Sequence, residues 1–461
     1  MTNWQPDPSL LSRPAYLSLA EQFSRAIEDG RLPVGTRLVP HRRLADDLGL
    51  SVQTISRAYE ELIRRGLVAG EVGRGSFVLA PGAEARAPYL PERPGEMIDL
   101  SILKPVVGAV QLDTLRAGFA WLADNISAPA ALSFRPNSVM PQHRAIAADW
   151  LVRGRVPAEA ANITITGGAT AAILSAIMGA VPSGAGLATE ALTHHTLKPL
   201  CQYLGLHLEG IAVDGQGMLP SALDEAARKG MIRGVFLQPT VINPLGSLMS
   251  YDRRAELVEV ARRHDLAVIE NDILNQLVQD TPPPIAALAP ERTLYICGFT
   301  KITVPGVRLA YLAVPSRYAT AVANRHLVTN WMPAPPLVEL LSHWVTDGTA
   351  HALIAAQREA LAERHRIARS LLPEVAQGAH PQALHLWLHL TNSWDEERFV
   401  AQARVRGVAV AAGEAFRISA RDRREAIRIS LGSTSGEDLR RGLSVLAAMV
   451  KEEPEMLLPT I

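Results

Sequence analysis

Apolar residues recur along the chain at two spacings, which predict a short helical part and then a longer part of alternating strands and helices. In the first part, three apolar sets at helical spacing predict three helices that end at Gly30, Gly49 and Gly66. Short apolar runs at residues 67–69 and 77–79 then predict a β-hairpin. The three sets are Leu19, Phe23, Ala26 and Ile27; Leu44, Ala45 and Leu48; and Ile55, Ala58, Tyr59 and Leu62.

The longer part has the rhythm of an α/β sheet. Helical stretches such as residues 169–181 and 253–264 separate most of its strand-like runs, and this order favours a mostly parallel sheet with helices on both faces. The chain then becomes helix-rich with short strands at residues 383–390 and 427–431, which is typical of a smaller α+β subdomain. The predicted strands of the large sheet are residues 163–166, 186–190, 235–237, 267–270, 293–297 and 309–314.

A stretch rich in proline and glycine separates the two parts. Residues 81–95 contain four prolines and two glycines and show neither helical nor strand periodicity. We therefore predict an N-terminal domain at residues 1–80, a linker at residues 81–96 and a C-terminal domain at residues 97–461.

Composition limits the class of protein. With 48% hydrophobic and 20% charged residues, the chain is predicted to be globular and not disordered. Lys+Arg and Asp+Glu both number 46, so any nucleic-acid-binding surface must be local. Two cysteines, no apolar run of about 20 residues and no signal sequence predict a soluble cytoplasmic protein without disulfides or membrane contact. No metal site is predicted.

The first part has the spacing of a helix-turn-helix motif followed by a hairpin, or wing. Two helices meet at Gly49 and Ser51 is placed to cap the third, so early residues of that helix can reach base edges in a major groove. Arginines and acidic residues nearly balance in residues 1–82, which leaves a three-helix protein-interaction bundle as an alternative. The predicted DNA contacts are Ser51, Gln53, Thr54, Ser56 and Arg57 on bases or phosphates, Arg42 and Arg43 on the backbone, and Arg74 at the hairpin tip on phosphate or in a narrow minor groove.

The second part contains residues suited to an aldehyde cofactor with a phosphate. Lys301 follows an apolar strand and can form a Schiff base, while Arg308, seven residues later, can bind a phosphate. The loop at residues 166–170 ends a strand and opens a helix, which is a favourable anion site. Asn243 follows another strand and can offer its amide to a ring hydroxyl. Each signal is weak alone, but their joint order is restrictive.

The first part resembles the GntR type of winged helix-turn-helix. The similarity extends over residues 35–62 and returns in the wing at residues 73–78, with glycines and the Ala58-Tyr59 pair at matching positions. Val39 departs from the proline usual in that family. The resemblance implies a partner, a double-stranded DNA operator.

The second part resembles the fold-type I aminotransferase domain, and the fusion of the two parts resembles the MocR subfamily of transcriptional regulators. The resemblance implies a homodimer, commonly head-to-tail, with pyridoxal 5'-phosphate (PLP) as cofactor. It assigns Lys301 as the Schiff-base lysine and Arg428 to the carboxylate of an effector. Further cofactor positions by resemblance are Gly168, Ala169 and Arg308 on the phosphate, Asn243 on the ring hydroxyl, His194 on the ring face and Asn271 at the ring nitrogen.

Several of these positions depart from the family pattern. His194 replaces an aromatic residue, Asn271 replaces the aspartate that keeps the pyridine nitrogen protonated, and Leu274 replaces a tyrosine. Asp272 is acidic but is expected to point to the opposite face of the strand. Two further departures are Phe134 for tyrosine and Gly298 for serine or threonine. We expect reduced affinity for PLP and poor transamination, because an unprotonated pyridine is a weak electron sink.

The sequence thus predicts a PLP-dependent transcriptional regulator whose body senses a small amine, an amino acid or PLP itself. His194 or His195 could shuttle a proton, although a structural role is the simpler account of either. One alternative is a regulator whose body no longer binds PLP. The other is an active aminotransferase that carries a DNA-binding head.

Overall fold

The protein is described here by a computed structural model. It describes residues 4–11, 14–33, 35–64, 67–71, 75–78, 97–135, 140–390, 394–418 and 425–452. The chain divides into two compact units, Met1–Arg93 and Pro94–Ile461, and each is described by itself. We call them the head and the body.

The head contains three helices and an antiparallel hairpin, as predicted. Helix α2 ends at Gly49, whose φ of 62° lies in the left-handed region that glycine tolerates best. The Ser51 hydroxyl accepts a hydrogen bond from the Thr54 amide at 3.1 Å and so caps α3. The apolar residues that predicted the helices are almost all buried. The elements are α1 (Ala15–Glu28), α2 (His41–Leu48), α3 (Val52–Arg64), β1 (Val68–Glu71) and β2 (Gly75–Val78).

The entry to α2 is fixed by a residue of α3. Tyr59 is buried, and its hydroxyl donates a hydrogen bond to the Val39 carbonyl at 2.8 Å. The ring of Tyr59 also lies edge-on to His41, the first residue of α2, with centroids 4.7 Å apart. The hydrogen bond is made to the backbone carbonyl of residue 39, so the valine side chain at that position does not change the start of α2.

The body is built on a seven-stranded sheet, and the predicted mostly parallel order is confirmed. Six strands run in one direction, while β12 is antiparallel to both of its neighbours, β11 and β4. The strand order is β4-β12-β11-β10-β9-β5-β6. The strands are β4 (Ile163–Thr166), β5 (Gly186–Glu190), β6 (His207–Ile211), β9 (Ile232–Leu237), β10 (Ala267–Asn271), β11 (Thr293–Gly298) and β12 (Ala310–Ala313).

Helices surround this sheet, and their buried side chains form its cores. No helix within the described ranges is long and apolar enough to cross a membrane. The helices are α4 (Ala109–Asn125), α5 (Ala128–Leu132), α6 (Pro141–Arg153), α7 (Ala169–Ala180), α8 (Leu197–Tyr203), α9 (Pro220–Arg228), α10 (Tyr251–Arg263), α11 (Ile285–Leu288), α12 (Ser316–Asn330) and α13 (Pro335–Thr346). A short ribbon is formed by β7 (Val213–Asp214) and β8 (Gly217–Met218).

The C-terminal part is the smaller α+β subdomain that the sequence predicts. Its three-stranded antiparallel sheet has the order β13-β16-β15. The segment that enters the body, β3 (Ile98–Asp99), pairs in parallel with β14 (Val408–Ala409). The other elements are α14 (Thr349–Leu371), α15 (Pro373–Gly378), β13 (His385–His389), α16 (Glu396–Val405), β15 (Ala411–Ala412), β16 (Ala426–Ser430) and α17 (Gly436–Lys451).

A buried arginine connects the loops at one edge of the large sheet. Arg254 on α10 has no exposed surface, and its guanidinium donates hydrogen bonds to four backbone carbonyls and to Thr240 at 3.1–3.3 Å. The buried Glu270 carboxylate on β10 accepts from the amides of Ile285 and Ala286, both at 2.8 Å. Burial and the nearby Asp272 carboxylate raise the pKa of Glu270 to about 8, and Arg254 opposes that rise. The carbonyl partners of Arg254 are those of Pro239, Met249, Pro282 and Pro283.

Candidate ligand site and candidate DNA-binding surface

The predicted cofactor residues meet at one edge of the large sheet. The strands β4, β5, β9, β10 and β11 are parallel, so their carboxyl ends lie at the same edge. Because β12 is antiparallel, its amino end lies there too. The edge therefore gathers the glycine loop after β4, the lysine loop after β11 and the arginine before β12. We call this region the ligand site.

Lys301 is held in a partly buried, cationic environment. Its ammonium donates a hydrogen bond to the carbonyl of Leu103. Burial, and then the nearby Arg428, Arg308 and Lys104, lower the pKa of Lys301 to about 8. A larger fraction of this amine is consequently unprotonated near neutral pH than of a solvated lysine, which is the condition for nucleophilic attack on a carbonyl.

The glycine loop and Arg308 lie against each other. Gly168 has a φ of 99°, in the left-handed region, and precedes the first residue of α7, Ala169. A Cβ atom at Gly168 would lie 3.8 Å from a terminal nitrogen of Arg308. Arg308, itself at a φ of 49°, is thus directed toward the amino end of a helix. Helix dipole, backbone amides and guanidinium together favour an anion of the size of a phosphate.

Arg428 on β16 is buried and is held at three sides. It donates hydrogen bonds to Asn243 Oδ1 at 3.0 Å and to the Ser101 carbonyl at 2.7 Å. Its guanidinium carbon lies 4.6 Å from the centroid of the Phe416 ring. Asn243 uses its oxygen for Arg428, and its amide nitrogen is therefore the group that it can offer to a ring hydroxyl.

His194 and His195 stack on each other beside these cations. Their ring centroids are 4.7 Å apart and their planes are 22° apart. Burial, then His195 and the cations Arg428 and Lys301, lower the pKa of His194 to about 3. Burial and the same two cations lower the pKa of His195 to about 4. Both rings are therefore neutral near pH 7. A histidine on the face of a cofactor ring would need to be neutral, because several cations surround it.

The low pKa of His194 predicts a pH-dependent contribution to stability. Because its pKa is about 6.5 in the unfolded chain and about 3 in the folded one, only the unfolded chain gains a proton as the pH falls below 6.5. The stability of the wild type relative to His194→Gln should drop by on the order of 1 kcal/mol between pH 7 and pH 5. Denaturant unfolding of both proteins at the two pH values measures this; a difference independent of pH would contradict it.

Asn271 is the last residue of β10 and is almost fully buried. Its Oδ1 has no hydrogen-bond partner within the described residues. Asp272 accepts hydrogen bonds from Tyr295 at 3.2 Å and from Asn275 at 2.9 Å. Tyr295 is the register partner of Glu270, so Asp272 is engaged with the face of the sheet opposite to Asn271. At the end of β10 the ligand site therefore has the amide of Asn271 where the family pattern has a carboxylate.

Of the other departures from the family pattern, those at Leu274 and Gly298 have packing explanations. Leu274 is buried in the main core, where a hydroxyl would need a partner. A Cβ at Gly298 would lie 2.9 Å from Ile273 Cγ2, so a serine or threonine is sterically excluded unless Ile273 moves. Phe134 lies on the surface, 76% exposed, with its ring 5.3 Å from that of Trp331.

The sequence did not indicate three contributors to the ligand site. Ser101 and Leu103 act through backbone carbonyls, which carry no side-chain signal. Phe416 contacts Arg428 from a loop far along the chain and matches no motif. Only its aromatic character, in a chain with 5% aromatic residues, could have drawn attention to it.

The candidate DNA-binding surface is the first half of α3 with the start of α2. Gln53 and Arg57 are exposed on α3, whereas Thr54 is partly buried and bonds to Ser51 at 2.8 Å. Ser56 is within 3.1 Å of His41 Nδ1. The predicted contacts Arg42, in its side chain, and Arg74, as a whole, lie outside the described residues, while Arg43 is exposed on α2.

Arg57 is oriented by an aromatic ring of α1. Its guanidinium carbon lies 4.1 Å from the centroid of the Tyr16 ring, within the range of a cation–π interaction. An arginine that a neighbouring ring already orients loses less conformational entropy when it binds DNA. Tyr16 was not singled out by the sequence pattern.

Comparison with known proteins agrees with this architecture. The family "Aminotransferase class I and II" matches residues 108–446, and "Bacterial regulatory proteins, gntR family" matches residues 15–78. The vitamin B6 salvage pathway transcriptional repressor PtsJ of Salmonella typhimurium is 28% identical, covering 89% of this chain and 92% of its own. The pyridoxine biosynthesis transcriptional regulator PdxR of Corynebacterium glutamicum is 25% identical, covering 77% of each chain. The multiple substrate aminotransferase of Thermococcus profundus superposes with a TM-score of 0.70 at 23% identity, over 78% of this chain and 92% of that one.

A gntR-type DNA-binding head joined to an aminotransferase-like body defines a transcriptional regulator. The chain belongs to the aminotransferase class I and II family, and its gntR head on that body is the domain combination expected of the MocR subfamily of regulators.

Proposed function

We propose that this protein is a cytoplasmic, PLP-dependent transcriptional regulator whose body senses a small amine, an amino acid or PLP itself. The observation that carries the proposal is the amine of Lys301, with its lowered pKa, at the same sheet edge as an anion-binding helix start. The names of PtsJ and PdxR support a connection with vitamin B6. A regulator needs a ligand that binds one of two arrangements of the protein more tightly than the other, and it needs no catalytic turnover.

The residues of the ligand site fit PLP. The amides at Gly168 and Ala169, with Arg308, would hold the phosphate, and Asn243 would donate to the ring hydroxyl. Asn271 is buried and its Oδ1 has no hydrogen-bond partner within the described residues, so its amide group would be the one to face a ring nitrogen. When bound, PLP supplies an aldehyde carbon that condenses with primary amines. Lys301 provides the amine, and Arg428 provides a counter-charge for a ligand carboxylate.

The same residues argue for sensing rather than turnover. An amide at position 271 can donate to a ring nitrogen but cannot hold a proton on it as a carboxylate does. His194 and His195 carry pKa values of about 3 and 4, so neither ring is a strong base. The groups that bind and orient a ligand are present, whereas the group that would keep the ring nitrogen charged is not.

Titration of the purified protein with PLP tests the proposal. The absorbance spectrum should develop a saturable visible band, and a primary amine or amino acid added afterwards should change it. Keto acid should form from amino acid slowly or not at all. A protein that remains colourless with excess PLP would favour a body that has lost the cofactor; rapid keto-acid formation would favour an aminotransferase with a DNA-binding head.

We propose in addition that the protein is a homodimer, commonly head-to-tail in this family. The body exposes several large apolar side chains that a second copy could cover. They lie on α4, at the end of α5 and just after it, and at the end of α12 and just after it. They are Val110, Leu112, Phe119, Leu132, Phe134, Leu327, Val328 and Trp331.

For the head we predict that Arg57→Ala weakens binding to the operator by roughly 1–3 kcal/mol, through loss of a base contact. Tyr16→Ala should weaken it less, because Arg57 remains but is no longer held by the ring. Fluorescence anisotropy with an operator selected from random DNA, and with an unrelated duplex, measures both effects. Equal losses on the two duplexes would mean that Arg57 contacts only phosphate.

A further inference from the structure

A short segment of the small subdomain, residues 413–418, contacts Arg428, and we call it the strap. It begins with a 3-10 turn, Gly413–Phe416, and its Phe416 side chain is buried. The guanidinium of Arg428 lies over the ring of Phe416, with 4.6 Å between the guanidinium carbon and the ring centroid. Asn243 and Ser101 accept hydrogen bonds from the same guanidinium. A ring and two acceptors therefore restrict its orientation.

The strap is anchored to the small subdomain by a buried carboxylate, that of Glu396. Its Oε2 accepts a hydrogen bond from the Glu414 amide at 2.8 Å, and its Oε1 accepts one from the Ala426 amide at 3.0 Å. Arg417 completes the anchor with an ion pair to the same carboxylate. A Cβ atom at Gly413 would lie 2.7 Å from Glu396 Oε1, so the strap approaches the carboxylate more closely than a larger residue at its start would allow.

The strap is anchored to the large sheet as well. The Thr193 amide donates a hydrogen bond to the Phe416 carbonyl at 2.9 Å, and the Ile418 amide donates one to the Ala191 carbonyl at 3.0 Å. These partners directly follow β5 and directly precede the two stacked histidines of the ligand site. The ring of His195 lies edge-on to that of Phe416, with centroids 6.2 Å apart. Phe416 is thus held from both parts of the body.

The Phe416 ring is also supported on the small sheet. Trp387 on β13 lies edge-on to it, with centroids 6.0 Å apart, and is the register partner of Arg428 on β16. Phe416 packs in one small apolar cluster with Trp387, Leu192 and Ala426. Loss of the ring would leave the backbone anchors of the strap in place and would remove the surface on which the guanidinium lies.

A restricted guanidinium favours one chemical class of ligand. Arginine recognises a carboxylate through N–H groups in a fixed arrangement, so its affinity depends on how the guanidinium is oriented before binding. A side chain that its neighbours already orient loses less conformational entropy when it binds. A ligand without a carboxylate gains nothing from this arrangement, because it makes no ion pair with Arg428.

We propose that Phe416 is a positioning residue that makes the ligand site select primary amines with a carboxylate, that is amino acids, over simple amines. Glu396 acts at one remove, because it holds the strap that carries Phe416. The inference rests on the proposed function, in which Arg428 receives the carboxylate of the effector. It narrows the ligand class of that site and assigns the selection to a residue that touches the arginine.

Titration of the full chain loaded with PLP tests this selection. The probes are the standard amino acids with a primary amine and, for the one that binds most tightly, the amine that lacks only its carboxylate. Changes in the visible absorbance band give the dissociation constant of each probe. The wild type should bind the amino acid at least about tenfold more tightly than the matching amine, which is the effect of a single hydrogen bond to a charged group.

Variants of the strap and of its anchor identify the residues responsible. Phe416→Leu keeps an apolar side chain without a ring, and it should weaken the amino acid roughly fivefold. The affinities for the matching amine and for PLP should stay unchanged. Glu396→Gln should act in the same direction, whereas Glu397→Gln, at an exposed neighbour on α16, should have no effect. Thermal melting checks that each variant is folded, and Phe416→Met replaces Phe416→Leu if that variant melts early.

Three outcomes would overturn the inference and leave the proposed function standing. One is an affinity for the amino acid that Phe416→Leu does not change. Another is an equal loss for the amino acid and the amine, which would give Phe416 a purely structural role. The third is a wild type that binds both probes equally. If no probe changes the band of the PLP-loaded wild type, the sensing of amines and amino acids fails first, and this inference fails with it.

Discussion

Replacing Lys301 by alanine is expected to abolish the visible absorbance band of PLP on this protein. The band requires a primary amine beside the aldehyde, and this lysine is the one with its pKa lowered to about 8. At pH 7 roughly a tenth of such an amine is unprotonated, against well under a thousandth for a lysine at its ordinary pKa. The loss should be complete rather than graded, because condensation needs that nitrogen.

Two control variants define the origin of this loss. Lys301→Arg keeps the positive charge but cannot condense, and it should be as colourless as Lys301→Ala. Lys198→Ala removes an exposed lysine on α8 and should retain the band. A band that survives in Lys301→Ala at unchanged PLP affinity would assign the chemistry to another amine and would refute the ligand site as described.

Replacing Arg254 by methionine is expected to lower the free energy of unfolding by about 3–5 kcal/mol. Methionine fills similar space, but it leaves four buried backbone carbonyls without their hydrogen-bond donor. Denaturant unfolding of the body's transition measures the loss. Arg262→Met on the same helix is the control: its ion pairs with Glu259 and Glu291 are at the surface and should contribute less than about 1 kcal/mol.

The pH dependence of this loss has a definite sign. The pKa of Glu270 is about 8 in the folded chain and about 4.5 in the unfolded one, so its burial costs stability as the pH rises between these values. Arg254 opposes this cost by favouring the carboxylate, which forms in the folded protein only above about pH 8. Arg254→Met should therefore be more destabilised relative to wild type at pH 9 than at pH 7. An equal loss at both pH values would mean that only the carbonyl hydrogen bonds matter.

Much of the fold could be predicted because its strands are short apolar runs between polar or glycine-rich turns. The predicted bounds of β4 and β5 are those found. For β9 the prediction began three residues late, since the exposed Arg233 interrupts the apolar run. The antiparallel direction of β12 could not be predicted, because a strand with both faces buried has the same pattern in either direction.

The ligand site was less accessible from the sequence. Side chains next to strand ends, such as Lys301 and Asn271, were found because position along the chain translates into position at the sheet edge. The carbonyls of Ser101 and Leu103 could not be found, because they come from a segment before the first strand of the large sheet and any residue can supply a carbonyl. The Tyr16 ring that orients Arg57 could not be predicted either, because this contact depends on how α1 packs against α3.

The reversed direction of β12 has a consequence for how this site tolerates change. Lys301 and Arg308 sit on one short connection that leaves β11 and turns back into β12, next to the Gly168 loop. That connection sets the separation between the Lys301 amine and the Arg308 guanidinium, the two groups proposed above for the aldehyde and the phosphate. One inserted residue would keep both charges yet offset them, so recognition depends on loop length as much as on residue identity.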